Sequence, residues 1–330
     1  MKIAVIGCGA VGSYYGAMLS RAGYDVHFLL RSDYDVVRQR GVTVHSIAGD
    51  FNARPHAART TGEIGPSDVL LIGLKTTAND QFAKLLPPLV SKHTAIVTLQ
   101  NGLGNEEALA KLFPVEQILG GLCFVGLNRT APGTIHHLGE GMILLGEFQR
   151  WPEPRTHDIA SMFRHAGVVC KVTDHLVRAR WEKLVWNISF NGLGVASAAG
   201  YDTLVDSASE FHVPSSPGRC LTSGELLDRG EWELLVRELM LETIAAANAL
   251  GHTLETSLAD RMIERTRPLG AYKASTVLDF ELGRPLELES LFLEPLRQAQ
   301  TAGVATPRLA MLCRVLTQLD ATRVKAPCEG

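Results

Sequence analysis

The chain runs to 330 residues, which at roughly 150 residues per domain predicts two domains, each large enough for its own core. Lys and Arg number 32 against 35 Asp and Glu, a net charge of −3 with no basic block, which argues against nucleic acid or an anionic membrane surface as partner. The 6 cysteines are scattered, with no C-x-x-C pair and no metal-ligand spacing, which argues against a disulfide scaffold and predicts reduced thiols in a cytoplasmic protein.

Residues 3–20 carry no charge and follow Lys2, the pattern with which a secretory signal peptide opens. Gly7, Gly9, Gly12 and Gly16 make that run a poor apolar helix, and no small-residue cleavage site follows. A buried strand that turns through glycines into a helix accounts for it better. Across the first half, Lys2–Ile6, Asp25–Leu30, Val69–Leu74 and Ala95–Leu99 read as strands, and Ala10–Ala22, Ala78–Leu89 and Asn105–Leu112 as amphipathic helices. This alternation predicts a parallel sheet covered on both faces. From about residue 117 shorter β runs follow at Ile118–Val125, Gly133–Leu138 and Met142–Gly146, then a helix over about 155–166 and a strand at Val168–Val172.

Beyond about residue 173 the apolar spacing turns helical at Leu176–Val195, Trp232–Leu250, Leu258–Arg265, Ser275–Leu282, Leu288–Ala302 and Pro307–Leu319. A boundary there divides the chain into 1–173 and 174–330, the second part mostly helical. Gly200–Arg219 is polar and reads as a long loop, and Ala321–Gly330 has little to bury and should fray. No run outside the amino-terminal segment approaches the roughly 18–20 apolar residues of a membrane span.

Gly7-Cys8-Gly9-Ala10-Val11-Gly12 is a G-x-G-x-x-G between the first strand and the first helix. Gly7 permits the tight turn, Gly9 lets the backbone approach a pyrophosphate, and Gly12 lets the helix pack on the strand. The helix N-terminus then faces the anion. After the second strand an NAD site usually carries an acid, but here Arg31-Ser32 come first and Asp33 after them. A forked guanidinium and a hydroxyl suit a 2′-phosphate, so NADP (NADPH) is the expected cofactor. Lys75 and Gln100-Asn101-Gly102 close two further strands, where ligands bind in open α/β sheets.

In the helical half, Lys183, Asn187 and Asn191 fall at i, i+4 and i+8 on an otherwise apolar helix. Burying such groups is costly unless they meet partners or line a cleft. Partial burial can lower a lysine pKa towards the working pH, which suits a proton donor. Further on, Ser275 is placed to cap a helix, and Glu287 to sit in the first turn of the next. The 11 histidines show no ligand spacing, His136-His137 reads as a strand end, and no metal is expected.

Taken in order, the glycine turn, Arg31, Lys75, Gln100-Asn101-Gly102, Trp181-x-Lys183-x3-Asn187-x3-Asn191 and Ser275-x11-Glu287 resemble the ketopantoate reductase (2-dehydropantoate 2-reductase) family over nearly the whole chain. The resemblance implies a Rossmann-type α/β domain that binds NADP, then a helical substrate and catalytic domain, with the active site in the cleft between them. It implies NADPH-dependent reduction of 2-dehydropantoate to (R)-pantoate, in pantothenate biosynthesis. By resemblance Lys183 is the proton donor, and Asn187, Asn191 and Ser275 bind substrate. Asn101 and Glu287 lie near both ligands, and Arg31 and Lys75 contact the cofactor. Tyr201 and Tyr272 stand where some members carry asparagine, which would alter substrate contacts while sparing the nicotinamide chemistry and leaves open a reductase of another branched 2-oxo acid. A non-catalytic NADPH-binding redox sensor is a separate reading from a different class. The expected partners are a small 2-oxo acid and a second copy of the chain as a homodimer.

Overall fold

Ile3, Ala4, Val5 and Ile6 expose nothing to solvent, because their strand, β1 (Lys2–Ile6), lies in the middle of a parallel sheet. The computed structural model describes residues 1–205, 217–228 and 230–322. The chain divides into two units, Met1–Leu176 and Val177–Gly330. After β1 the first unit continues with α1 (Ala10–Arg21), β2 (Asp25–Leu29), α2 (Tyr34–Arg40), β3 (Val42–Ser46), β4 (Phe51–Ala53), β5 (His56–Ala58), α3 (Thr61–Ile64) and β6 (Val69–Ile72). Then come α4 (Phe82–Leu85), β7 (Ala95–Thr98), α5 (Asn105–Ala110), β8 (Ile118–Ala131), β9 (Thr134–Glu147), α6 (Pro154–His165) and β10 (Cys170–Val172).

The sheet runs β4-β3-β9-β8-β7-β6-β1-β2-β5, with β10 pairing β9. Its section β5-β2-β1-β6-β7-β8 is wholly parallel. Counted in chain order among themselves, these strands follow the doubly wound order 3-2-1-4-5-6. The remainder is mixed: β9 is antiparallel to β8 but parallel to β3 and β10. Helix α1 packs against strands of both sections, so the sheet curls around it. Tyr15 of α1 is fully buried there and meets Phe163 edge-on at 6.2 Å.

Three expectations for this unit need correction. Ala78–Leu89 is not one helix: 3₁₀ turns at Thr76–Gln81 and Pro87–Leu89 flank the single turn of α4, and the two prolines there cannot donate helical hydrogen bonds. Gly133–Leu138 and Met142–Gly146 are one strand, β9, which passes its glycines while the β8–β9 ladder shifts register at three places. His136-His137 therefore lies inside a strand and not at its end.

The second unit is built from α7 (Leu176–Asn187), α8 (Leu193–Ala196), α9 (Asp202–Val205), α10 (Ser223–Asp228), α11 (Gly230–Ala249), α12 (Leu258–Thr266), α13 (Ser275–Glu281), α14 (Glu294–Thr301) and α15 (Pro307–Thr322). It has no strand among the described residues. The helix expected over Leu176–Val195 is interrupted by a π turn at Ile188–Gly192, and that over Leu288–Ala302 opens on another at Glu289–Leu293. The two wide turns pack on one another. A Cβ on Gly192 would lie 2.6 Å from Leu312 and 2.9 Å from Phe292, so the bare backbone is what permits the fit. Of the loop expected at Gly200–Arg219, residues 206–216 lie outside the described residues, as do residues 323–330 of the tail. Ala321 and Thr322 complete α15.

Candidate active site

The glycine turn follows β1, Arg31 follows β2, Lys75 follows β6, and Gln100-Asn101-Gly102 follow β7. These strands are neighbours, all parallel, so the four segments share the carboxyl end of one sheet. Gly7 has φ +92°, and a Cβ there would lie 2.2 Å from the Leu74 nitrogen. On Gly12 it would lie 2.3 Å from the Gly7 carbonyl oxygen. Gly9, the N-cap of α1, is different: a Cβ there would meet nothing within 4 Å. Two glycines are thus consumed by packing, while the middle one leaves its backbone open to a ligand. Gly73 completes the stack, because a Cβ on it would lie 2.9 Å from the Gly7 oxygen and 3.0 Å from Gly12. Its place at a strand end was visible in sequence, but its partner was not.

Within the turn, the Cys8 thiol donates to the Val5 carbonyl at 3.6 Å. Burial, with Asp33 nearby, pushes that thiol well above its usual pKa. Cys8 therefore offers the turn its backbone, not a nucleophile. Ala10 and Val11 begin α1, and Val11 packs on the core.

Arg31 and Ser32 are exposed, whereas Asp33 is buried and already engaged. The Arg129 guanidinium forms a two-pronged ion pair with Asp33, the Gly133 amide donates to it at 3.0 Å, and the Ser32 hydroxyl at 2.9 Å. Burial alone would raise this carboxyl. The hydrogen bonds from Arg129, Gly133 and Ser32 outweigh it and hold Asp33 below its ordinary pKa. The first acid after β2 is thus spent on the β8–β9 hairpin, and with the Ser32 proton also given to Asp33, the exposed donor group at the strand end is the Arg31 guanidinium. That donor fits a phosphorylated ribose better than a bare diol.

At the end of β7 an amide chain holds the loop. Thr98 donates to Gln100 at 2.9 Å, Gln100 to Asn79 at 2.8 Å, Asn79 to Asn105 at 2.9 Å, and Asn105 to the Asn101 carbonyl at 2.9 Å. Gly102 and Gly104, at φ +82° and +85°, supply the left-handed turns. Asn79 and Asn105 escaped the sequence reading, since an asparagine in a turn looks the same whether or not it belongs to a network.

In the second unit, α7 carries Lys183, half-buried, one turn before the buried Asn187. Asn191 falls within the π turn, so the exact i, i+4, i+8 face does not survive, yet its amide donates to the Asn187 side chain at 3.3 Å. The Asn191 oxygen accepts from the Ser275 hydroxyl at 3.3 Å and from the Thr276 amide at 2.9 Å. Ser275 is not the N-cap of α13. Ala274 holds that place without a side-chain bond, and Asn191 caps the helix from outside. The structure thus brings Asn187, Asn191 and Ser275 together. Glu287 is buried and precedes the helical segment it was expected to begin, its carbonyl accepting from the Leu291 amide at 3.3 Å inside the second π turn. Tyr201 packs edge-on against Trp232 at 5.2 Å, and Tyr272 lies 6.4 Å from Trp186.

A doubly wound sheet with a glycine turn at its switch point, joined to a helical unit with a polar cluster, defines a Rossmann-type dinucleotide-binding protein of the dehydrogenase kind. The sequence patterns of ketopantoate reductase PanE/ApbA and of its C-terminal part match residues 3–150 and 217–320. The chain belongs to this ketopantoate reductase family. It is similar to a 2-dehydropantoate 2-reductase of Nostoc sp., 38% identical over 97% of this chain and 95% of that one. Crystal structures of 2-dehydropantoate 2-reductases also align with it. That from Geobacter metallireducens GS-15 is 47% identical with a TM-score of 0.88, over 96% of this chain and 99% of the other. That from Methylococcus capsulatus is 32% identical with a TM-score of 0.85, over 99% of each.

Proposed function

We propose that this protein reduces 2-dehydropantoate to (R)-pantoate with NADPH, a step of pantothenate biosynthesis. The observation that carries the reading is the bonded set of Asn187, Asn191 and Ser275, one turn from Lys183, in a member of the ketopantoate reductase family. The backbone of Gly7–Gly12 holds the pyrophosphate, Arg31 the 2′-phosphate, and Lys75, Asn101 and Glu287 complete the cofactor contacts. NADPH, when bound, supplies the hydride that the ketone carbon receives.

The chain's own task is the ketone oxygen. As the C=O π electrons collect there, the Lys183 ammonium stabilises the growing charge and passes it one proton, leaving a neutral amine that solvent reprotonates. Ser275 binds the substrate carboxylate, and Asn101, Asn187, Asn191 and Glu287 fix the remaining oxygens. Because Asn191 also caps α13, the groups that orient the substrate are held by the fold before it arrives.

A second reading rests on Tyr201 and Tyr272, aromatic where some family members carry asparagine. It keeps the chemistry and changes the substrate to another branched 2-oxo acid. NADPH oxidation on 2-dehydropantoate, set beside a panel of such acids with the product identified, separates the two: the highest kcat/KM should fall on 2-dehydropantoate. Tight NADPH binding with no turnover on any 2-oxo acid would defeat both readings and leave a sensor. We also take the enzyme to be a cytoplasmic homodimer. The scatter of the 6 cysteines, with no C-x-x-C pair, supports a reducing compartment, and sedimentation tests the dimer.

A further inference from the structure

We propose that Asp25, His27 and His56 form a binding site for a divalent transition-metal ion, separate from the dinucleotide site. His27 on β2 and His56 on the edge strand β5 are register partners in a parallel pair, so both imidazoles stand on one face. Their rings stack at 4.7 Å with planes 22° apart. The Nε2 of His27 lies 2.8 Å from Oδ1 of Asp25, and the Nε2 of His56 lies 3.5 Å from that same oxygen. All three ligand atoms fall within 4.8 Å of one another. A tetrahedral ion with bonds of about 2.0–2.1 Å holds its donors roughly 3.3 Å apart, so small side-chain rotations complete the set.

A hydrogen bond between His27 and Asp25 explains one imidazole. It does not explain a second, stacked on the first with its nitrogen towards the same carboxylate. Lys2 is the register partner of Asp25 on β1, but its ammonium is turned to the Ile64 carbonyl. The side chains of Asp25 and His56 are 49% and 70% exposed, so an ion enters from solvent and keeps water at its open positions. Two imidazoles and one carboxylate select zinc, copper, nickel or cobalt over magnesium or calcium. Asp25 opens β2 beside the start of β1, at the end of the sheet opposite the glycine turn.

The test is calorimetric titration of tag-free protein with Zn2+, supported by Co2+ absorption. One equivalent should bind per chain, magnesium should not compete, affinity should fall by at least about 100-fold in His56→Ala, and the double variant H27Q/H56A should lose the equivalent. His56 is exposed, so His56→Ala should unfold at the wild-type temperature without metal. Absence of a tight Zn2+ equivalent overturns the proposal. So does wild-type affinity in the double variant, which would move the ion to another histidine such as His45 beside Asp50.

Discussion

Asn191→Ala tests the capping role of Asn191 directly. The substitution removes the acceptor for the Thr276 amide, which is buried in the first turn of α13, and for the Ser275 hydroxyl. Losing a cap costs about 0.5–2 kcal/mol. A buried N–H left without a partner costs about 1–3 kcal/mol, and the two figures overlap because they count the same amide. The expected loss is therefore about 2 kcal/mol. Asn191→Asp keeps the acceptor at the α13 N-terminus but gives up the amide that donates to Asn187 and buries a charge, so its loss should be about 1–3 kcal/mol with α13 still capped. Urea unfolding followed by tryptophan fluorescence reads both, since Trp181, Trp186 and Trp232 belong to the second unit and Trp151 to the first. Asn191→Asp should nevertheless lose most of its kcat/KM, because its carboxylate repels an anionic substrate. A loss below about 0.5 kcal/mol in Asn191→Ala would refute the reasoning.

The glycine turn offers a contrast within one motif. Gly7→Ala should destabilise the first unit by about 3 kcal/mol or more in thermal unfolding, because φ +92° and the Leu74 backbone both oppose a Cβ. Gly9→Ala, facing open space, should unfold like the wild type yet bind NADPH at least about tenfold more weakly by fluorescence titration. Arg31→Ala should raise the KM for NADPH by about 10–100-fold, the worth of a charge-assisted hydrogen bond, and leave the KM for NADH nearly unchanged. Asp33 predicts an acid-side slope. Its folded pKa is lowered, so its contribution is complete above the unfolded value near ~3.9 and is lost as pH falls from there through the folded value. Unfolding of Asp33→Asn against pH should be less steep in that window.

Legibility in the sequence followed the strength of local signals. Lys2–Ile6, α1 and the glycine turn were readable because an uncharged strand, its glycines and a helix lie next to one another. The segment from α2 to α3 was not, since strands of three to five residues such as β3, β4 and β5 carry too little periodicity, and β3 and β5 gain their pairing from β9 and β2 while β4 pairs onto β3. The lysine–asparagine helix was read from spacing that the π turn then altered. Asn187 and Asn191 still meet, and the partner that fixes Asn191 is α13, which the spacing along one helix does not reveal. The engagement of Asp33 was not legible, because its partner Arg129 is distant in sequence. The histidines of β2 and β5 likewise show no ligand spacing along the chain, and only strand pairing brings them together.

The central claim is that the Lys183 ammonium delivers the proton to the ketone oxygen. The measurement that bears on it most directly is turnover of 2-dehydropantoate by Lys183→Ala at saturating NADPH, with NADPH affinity measured in parallel. Its kcat should fall by about 10²–10⁴-fold with NADPH affinity within about twofold of wild type. Turnover within about tenfold of wild type would contradict it.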